Sequence, residues 1–158
     1  MVAAAFAGPA AAQNSPPVLP QLGRWSIVSE LGPEAMLLSA MMPPALQQQL
    51  GYDPKSNTIT TPLCLNSETI KQWESMGRAA LAGRATGCGE PTWTGDAARM
   101  TMTVACSGAN PATVKITYRV SPARDAYTMT GELTTGIVSS AAPQVVRLNA
   151  RARRVGDC

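Results

Sequence analysis

Four segments in the second half of the chain alternate apolar and polar residues with period two, and this constrains the fold more than any other feature. In Arg99–Cys106, Met100, Met102, Val104 and Cys106 share one face, with Arg99, Thr101 and Thr103 on the other. In Thr113–Val120 the apolar face is Val114, Ile116, Tyr118 and Val120, against Lys115, Thr117 and Arg119. Ala126–Leu133 repeats the device with Tyr127, Met129 and Leu133. Gln144–Val155 opposes Val146, Leu148, Ala150 and Ala152 to Arg147, Asn149, Arg151 and Arg153. Successive side chains of a strand point to opposite faces, so each segment reads as a strand with one buried and one wet face. The turn-forming runs SGANPA and SPARD separate the first three, which makes an antiparallel meander.

Such a meander needs a cover for its apolar face. Arg24–Leu31 reads as a further strand, with Trp25, Ile27 and Leu31 together, and Gly32-Pro33 breaks it. Asn57–Leu65 is another, and Pro62 within it pushes it to a sheet edge. Glu34–Met42 is short but helix-friendly, and Ala45–Leu50 follows as a short helix between Pro44 and Gly51. Ser67 to about Leu81 is the best helix: Asn66 or Ser67 caps it, and Ile70, Trp73 and Ala80 form one stripe. The expected class is α+β, mainly β. The sheet is curved and antiparallel, of about six to eight strands, as a meander, half-barrel or lipocalin-like barrel. One or two short helices complete it, with the helix at 67–81 and the N-terminal strand as covers.

The N-terminus reads as export. Residues 1–12, MVAAAFAGPAAA, are small and apolar, and Ala10-Ala11-Ala12 before Gln13 has the form of a leader-peptidase site. Residues 1–12 are therefore expected to be the remnant of a signal peptide, cleaved near Ala12 and Gln13. Residues 13–22, QNSPPVLPQL, form a proline-rich extended segment, and residues 23–158 form a single disulfide-bonded β-rich domain. The cysteines agree with export to the periplasm: Cys64, Cys88, Cys106 and Cys158 are an even set without a C-x-x-C pair. That pattern suits two disulfides in an oxidising compartment better than a metal site. No run approaches the roughly 18 apolar residues a membrane span needs.

Histidine is absent from the chain. This removes imidazole-activated serine or cysteine nucleophiles and every histidine-containing metal site. A net charge of +3 and an aromatic content of 4% give no reason to expect a nucleic-acid partner. No cofactor or metal is called for; Met100 and Met102 share a face with Val104 and read as core rather than as copper ligands. Carboxylates are scattered: Glu68 and Glu74 lie six helical positions apart and diverge, and Asp96, Asp125 and Glu132 sit on or near the sheet. The one basic cluster lies on the last strand, where Arg147, Arg151 and Arg153 share the outward face. It reads either as a stripe facing an anionic surface or as a solvated strand face.

Five segments in order carry a resemblance: LGRW at Leu22–Trp25, PLCLNSETI at Pro62–Ile70, MTVACSG at Met102–Gly108, YTMTGEL at Tyr127–Leu133, and the terminal RRVGDC. Together they resemble an exported bacterial family of unknown function, domain-of-unknown-function family 3617, over roughly residues 22–158. The chain departs from that family's pattern at Asn66-Ser67-Glu68, where Thr-Pro-Glu is usual, and in a longer insert from Gly32 to Asn57. The resemblance implies a periplasmic location and supplies no activity; only the four cysteines carry over, as structural positions.

Four cysteines allow three connectivities. Cys64 and Cys88 bracket the helix at 67–81, so the expected bonds are Cys64–Cys88 and Cys106–Cys158, each contributing about 3–4 kcal/mol by chain entropy. The functional expectation is an exported, non-catalytic module that binds a small apolar or envelope ligand. The alternative is a histidine-independent hydrolase or isomerase working through carboxylates.

Overall fold

A computed structural model describes residues 12–71, 87–108, 111–136 and 144–158. The strands are β1 (Gly23–Glu30), β2 (Tyr52–Asp53), β3 (Thr58–Leu65), β4 (Thr92–Gly95), β5 (Arg99–Cys106), β6 (Ala112–Val120), β7 (Ala126–Thr135) and β8 (Gln144–Gly156). Two short helices, α1 (Pro33–Ala40) and α2 (Pro44–Gln49), lie between β1 and β2. The strands form one sheet in the order β2-β3-β1-β8-β7-β6-β5-β4, every pair antiparallel. Within the described residues the sheet is open, not a closed lipocalin-like barrel. The helix expected over 67–81 lies outside the described residues beyond Lys71. Its entry is described: the Asn66 side-chain oxygen accepts from the backbone N–H groups of Glu68 and Thr69, which is cap chemistry.

Period two places the core. Met100, Met102, Val104, Val114 and Tyr118 are fully buried on the inner face, and Trp25 and Trp93 join them from β1 and β4. Burying each such side chain contributes about 1.5–3 kcal/mol. The aromatic rings form a band across the strands, with centroids 5.4 Å apart for Trp25 and Tyr127, 6.1 Å for Tyr127 and Tyr118, and 5.8 Å for Tyr118 and Trp93. These spacings suit attractive edge and tilted packing.

The N-terminal strand belongs to the sheet instead of covering it. β1 sits between β3 and β8, so the first and last strands of the domain are neighbours. Part of the cover comes from the proline-rich segment before β1. Val18 and Leu19 pack against the core and Pro20 is buried. Gln21 N–H donates to the Arg124 carbonyl at 3.0 Å, and Trp25 Nε1–H donates to the Gln21 carbonyl at 3.0 Å.

The disulfide pairing differs from the expectation. Cys64 is bonded to Cys158, and Cys88 to Cys106. Two features of topology explain this. Residues 87–89 run antiparallel beside the end of β5, with Gly89 N–H donating to Ala105 and Ser107 N–H to Gly87, so Cys88 lies opposite Cys106. The chain end leaves β8 beside β1 and β3, while β5 is on the far side of β7 and β6. The terminus therefore reaches Cys64, not Cys106.

Both sheet edges are blunted. β2 covers β3 only at Thr58 and Ile59, and Thr60 N–H then donates to the Gly51 carbonyl. Thr60 thus points its backbone away from β1, and so does Pro62 two residues on, which has no N–H to offer a neighbour. At the other edge, Gln13 exchanges two backbone hydrogen bonds with Trp93, at 2.9 and 2.7 Å, and closes β4. Exposed edges with unpaired backbone groups template association, and both devices remove that template.

Candidate functional site

The outer face of the sheet carries the polar halves of the alternating strands, and strand register orders them into rows. Arg99 of β5 stands opposite Arg119 of β6, Arg119 opposite Thr128 of β7, and Thr128 opposite Arg151 of β8. The next row runs through Thr94, Thr101, Thr117, Thr130 and Asn149, and the Thr101 and Thr117 hydroxyls are hydrogen-bonded at 3.0 Å. A third row holds Thr103, Lys115, Glu132 and Arg147. On the other side of the arginine row, Arg153 lies between Ala126 and Ser26.

All three arginines of the expected stripe fall on this outer face, but they are not equivalent. Arg147 Nε lies 3.8 Å from the Glu132 carboxylate, an exposed pair that adds little stability. Arg151 and Arg153 make no ion pair among the described residues, and neither do Arg99 and Arg119. Arg154 turns to the opposite face, where its Nε–H donates to the Leu22 carbonyl at 2.8 Å and its guanidinium pairs with Asp157.

Sequence reasoning missed Arg99 and Arg119 as members of this group. They were legible as outward residues of their strands; the missing information was register, which puts them in line with Arg151. Like charges directly opposite each other on neighbouring strands are destabilising. The Arg99–Arg119 pair therefore costs stability that threonine at either position avoids. Among the described residues the outer face of the strands offers only Glu30, Asp53 and Glu132 as counter-charges; Asn149 already donates to Glu30 at 3.2 Å, and Asp53 accepts from Lys55 and Ser56 in its own turn. The result is a positive field concentrated on the arginine row and its neighbour Arg153.

The carboxylates have structural employment. The Asp96 carboxylate accepts from the backbone N–H groups of Arg99 and Ala98, which close the turn into β5 and hold its pKa below the usual aspartate value. Asp53 does the same in the turn after β2: the Ser56 hydroxyl and the Lys55 N–H lower its pKa. Asp125 accepts from the Ser121 hydroxyl at 2.7 Å in the β6–β7 turn. Glu68 is exposed at the helix entry, and Glu74 lies outside the described residues. Among the described residues no group of acidic or cysteine side chains could hold a metal.

The inner face is filled where the apolar ligand reading asks for a groove. Met100 and Met102 are fully buried, and Leu65 and Leu133 nearly so. Burial, reinforced by the neighbouring Tyr127, pushes the Tyr118 hydroxyl pKa well above its ordinary value. No described helix is long and apolar enough to cross a membrane.

No curated protein and no solved structure matches the chain significantly. A family model does match, over residues 20–158, nearly the whole described domain from the buried Pro20 to the disulfide-bonded Cys158. The chain belongs to the family described as Protein of unknown function (DUF3617).

Proposed function

We propose that this protein is an exported, envelope-associated binding module without catalytic machinery, and that its outer sheet face takes an anionic partner rich in phosphate. One observation carries the reading: Arg99, Arg119 and Arg151 stand in a single cross-strand row, in line with one another and without carboxylate partners among the described residues. Guanidinium groups are weakly hydrated forks that match phosphate geometry, so a row of them suits repeated phosphates better than a single small anion. The two disulfides support an oxidising setting outside the cytoplasm, where phosphate-bearing lipid headgroups and polyanions are presented.

The test is binding of the disulfide-intact protein to two probes at low salt: phosphatidylglycerol-containing vesicles and soluble polyphosphate. Each basic residue near an anionic surface contributes about 1 kcal/mol, so replacing Arg99, Arg119 and Arg151 by Gln is expected to weaken binding about a hundredfold. Binding is expected to weaken with salt as well. Absence of binding to both probes, or equal binding by the triple variant, sinks the reading.

A further inference from the structure

The helical hairpin between β1 and β2 presents large apolar side chains to solvent. Ser39 is buried, whereas Leu37 and Met41 are 70% and 83% exposed. Leu46 and Leu50 of the second helical turn and its end are exposed as well. Gln47, which is half-buried, spends its amide on the carbonyls of Ser39 and Met42 at 3.0 and 3.1 Å, capping the end of α1. Pro33 and Pro44 open the two helices and pre-set their backbones, so the arrangement is a defined shape. From Ala35 to Tyr52 the chain carries no charge. A water-facing hairpin turns its leucines inward; this one leaves Leu37, Met41, Leu46 and Leu50 in solvent beside the exposed Gln48 and Gln49.

The hairpin is joined to the basic face. Gly51, at its end, accepts from Thr60, and Leu50 shares a groove with Thr60 and Pro62. Thr60 continues the arginine row across the sheet: it stands opposite Val28, and Val28 opposite Arg151. At a strand spacing of about 4.8 Å, Thr60 and Arg151 are about 10 Å apart. The end of this apolar hairpin thus adjoins one end of a row of cations that make no ion pair among the described residues. Charge complementarity requires phosphates over the arginines, and the hairpin requires apolar depth immediately beside them.

We infer that the α1–α2 hairpin is an interfacial anchor that inserts into an anionic lipid bilayer, with the arginine row lying on the headgroups. A bilayer interface offers acyl depth and phosphate in one continuous surface, and basic residues beside an apolar helical face are the recurring way to bind it. The inference rests on the anionic reading of the outer face and names the partner.

The experiment uses the full chain with its disulfides intact and compares wild type, Leu37→Gln/Met41→Gln, and Arg99→Gln/Arg119→Gln/Arg151→Gln. Both hairpin positions are exposed, so the double variant is expected to keep the wild-type circular dichroism and unfolding midpoint. Its partition onto phosphatidylglycerol-containing vesicles is expected to fall about tenfold or more, with polyphosphate binding unchanged. The arginine variant is expected to lose both. Vesicle binding by the hairpin variant equal to wild type overturns the anchor. Wild type that binds polyphosphate but not vesicles also overturns it, while sparing the anionic reading; no binding to either probe removes that reading itself. A wild-type dimer in light scattering that the hairpin substitutions convert to monomer assigns the apolar surface to a second copy and overturns the lipid inference.

Discussion

Cys158 is bonded to Cys64 across the start of β1, the strand that lies between them in the sheet. Arg24 stands opposite Cys64 on one side and opposite Gly156 on the other, so the bond passes over one strand and fastens its two neighbours together. The same bond links residues 94 positions apart, whereas Cys88–Cys106 links residues 18 apart. In the chain-entropy account the long loop contributes about 4.7 kcal/mol and the short one about 3 kcal/mol. Replacing Cys64 and Cys158 together by Ser is therefore expected to cost more than replacing Cys88 and Cys106. Urea denaturation of the two double variants measures this, and a reversed order refutes it. Non-reducing peptide mapping of the wild type checks the pairing directly.

What the chain disclosed in advance follows from how far each signal reaches. Strand faces are local, so Met100, Met102 and Tyr118 announced the core through period two alone. Which strand neighbours β8 is non-local; the meander fixes β7 on one side but carries no information on β1, and the disulfide partners of Cys106 and Cys158 were misjudged with it. β4 escaped notice because Trp93 is its only large apolar residue, and two residues earlier stands Pro91. The run QNSPPVLPQL does read as extended, yet nothing in its composition says that Val18, Leu19 and Pro20 are held against the core. The arginine row needs register between four strands, so only its β8 member, Arg151, was visible.

Edge protection at β3 depends on Pro62, which lacks an N–H at a position whose backbone faces away from β1. Pro62→Val restores that donor and leaves the strand a better template for a partner strand. The expected outcome is concentration-dependent self-association in light scattering, with a change of less than about 1 kcal/mol in the stability of the monomer. A variant that stays monomeric at high concentration shows that the edge is guarded by something other than the missing donor.

Burial and the adjacent Tyr127 hold Tyr118 protonated to higher pH than in an unfolded chain, where tyrosine titrates near about 10. The folded state therefore binds the Tyr118 proton more tightly than the unfolded state. Its contribution to stability is complete below about pH 10 and declines as pH rises further toward the folded pKa. Tyr118→Phe has no such proton to lose. Between about pH 9 and about pH 11 its unfolding free energy is expected to fall less steeply than that of the wild type. Urea midpoints across that range decide the matter, and parallel slopes count against the burial argument.

The segment before β1 is expected to behave as a strap whose loss uncovers one end of the core. It is fastened to the β4 edge, where Trp93 N–H donates to the Gln13 carbonyl at 2.7 Å, and to the β6–β7 turn, where Gln21 N–H donates to the Arg124 carbonyl at 3.0 Å. Between these points Val18 and Leu19 rest half-buried on the core cluster. Replacing both with Ser removes that apolar contact at a cost of about 2–3 kcal/mol. The amide of Trp93 has its partner on the strap, while those of Val104 and Val114 lie in strands flanked on both sides. Hydrogen exchange separates the two cases, since local opening exposes only the amides whose partners leave. In the double variant the Trp93 amide is expected to exchange faster by a larger factor than those of Val104 and Val114. Equal acceleration at all three means that the strap opens only with the whole sheet and is a strand of the fold in energetic terms.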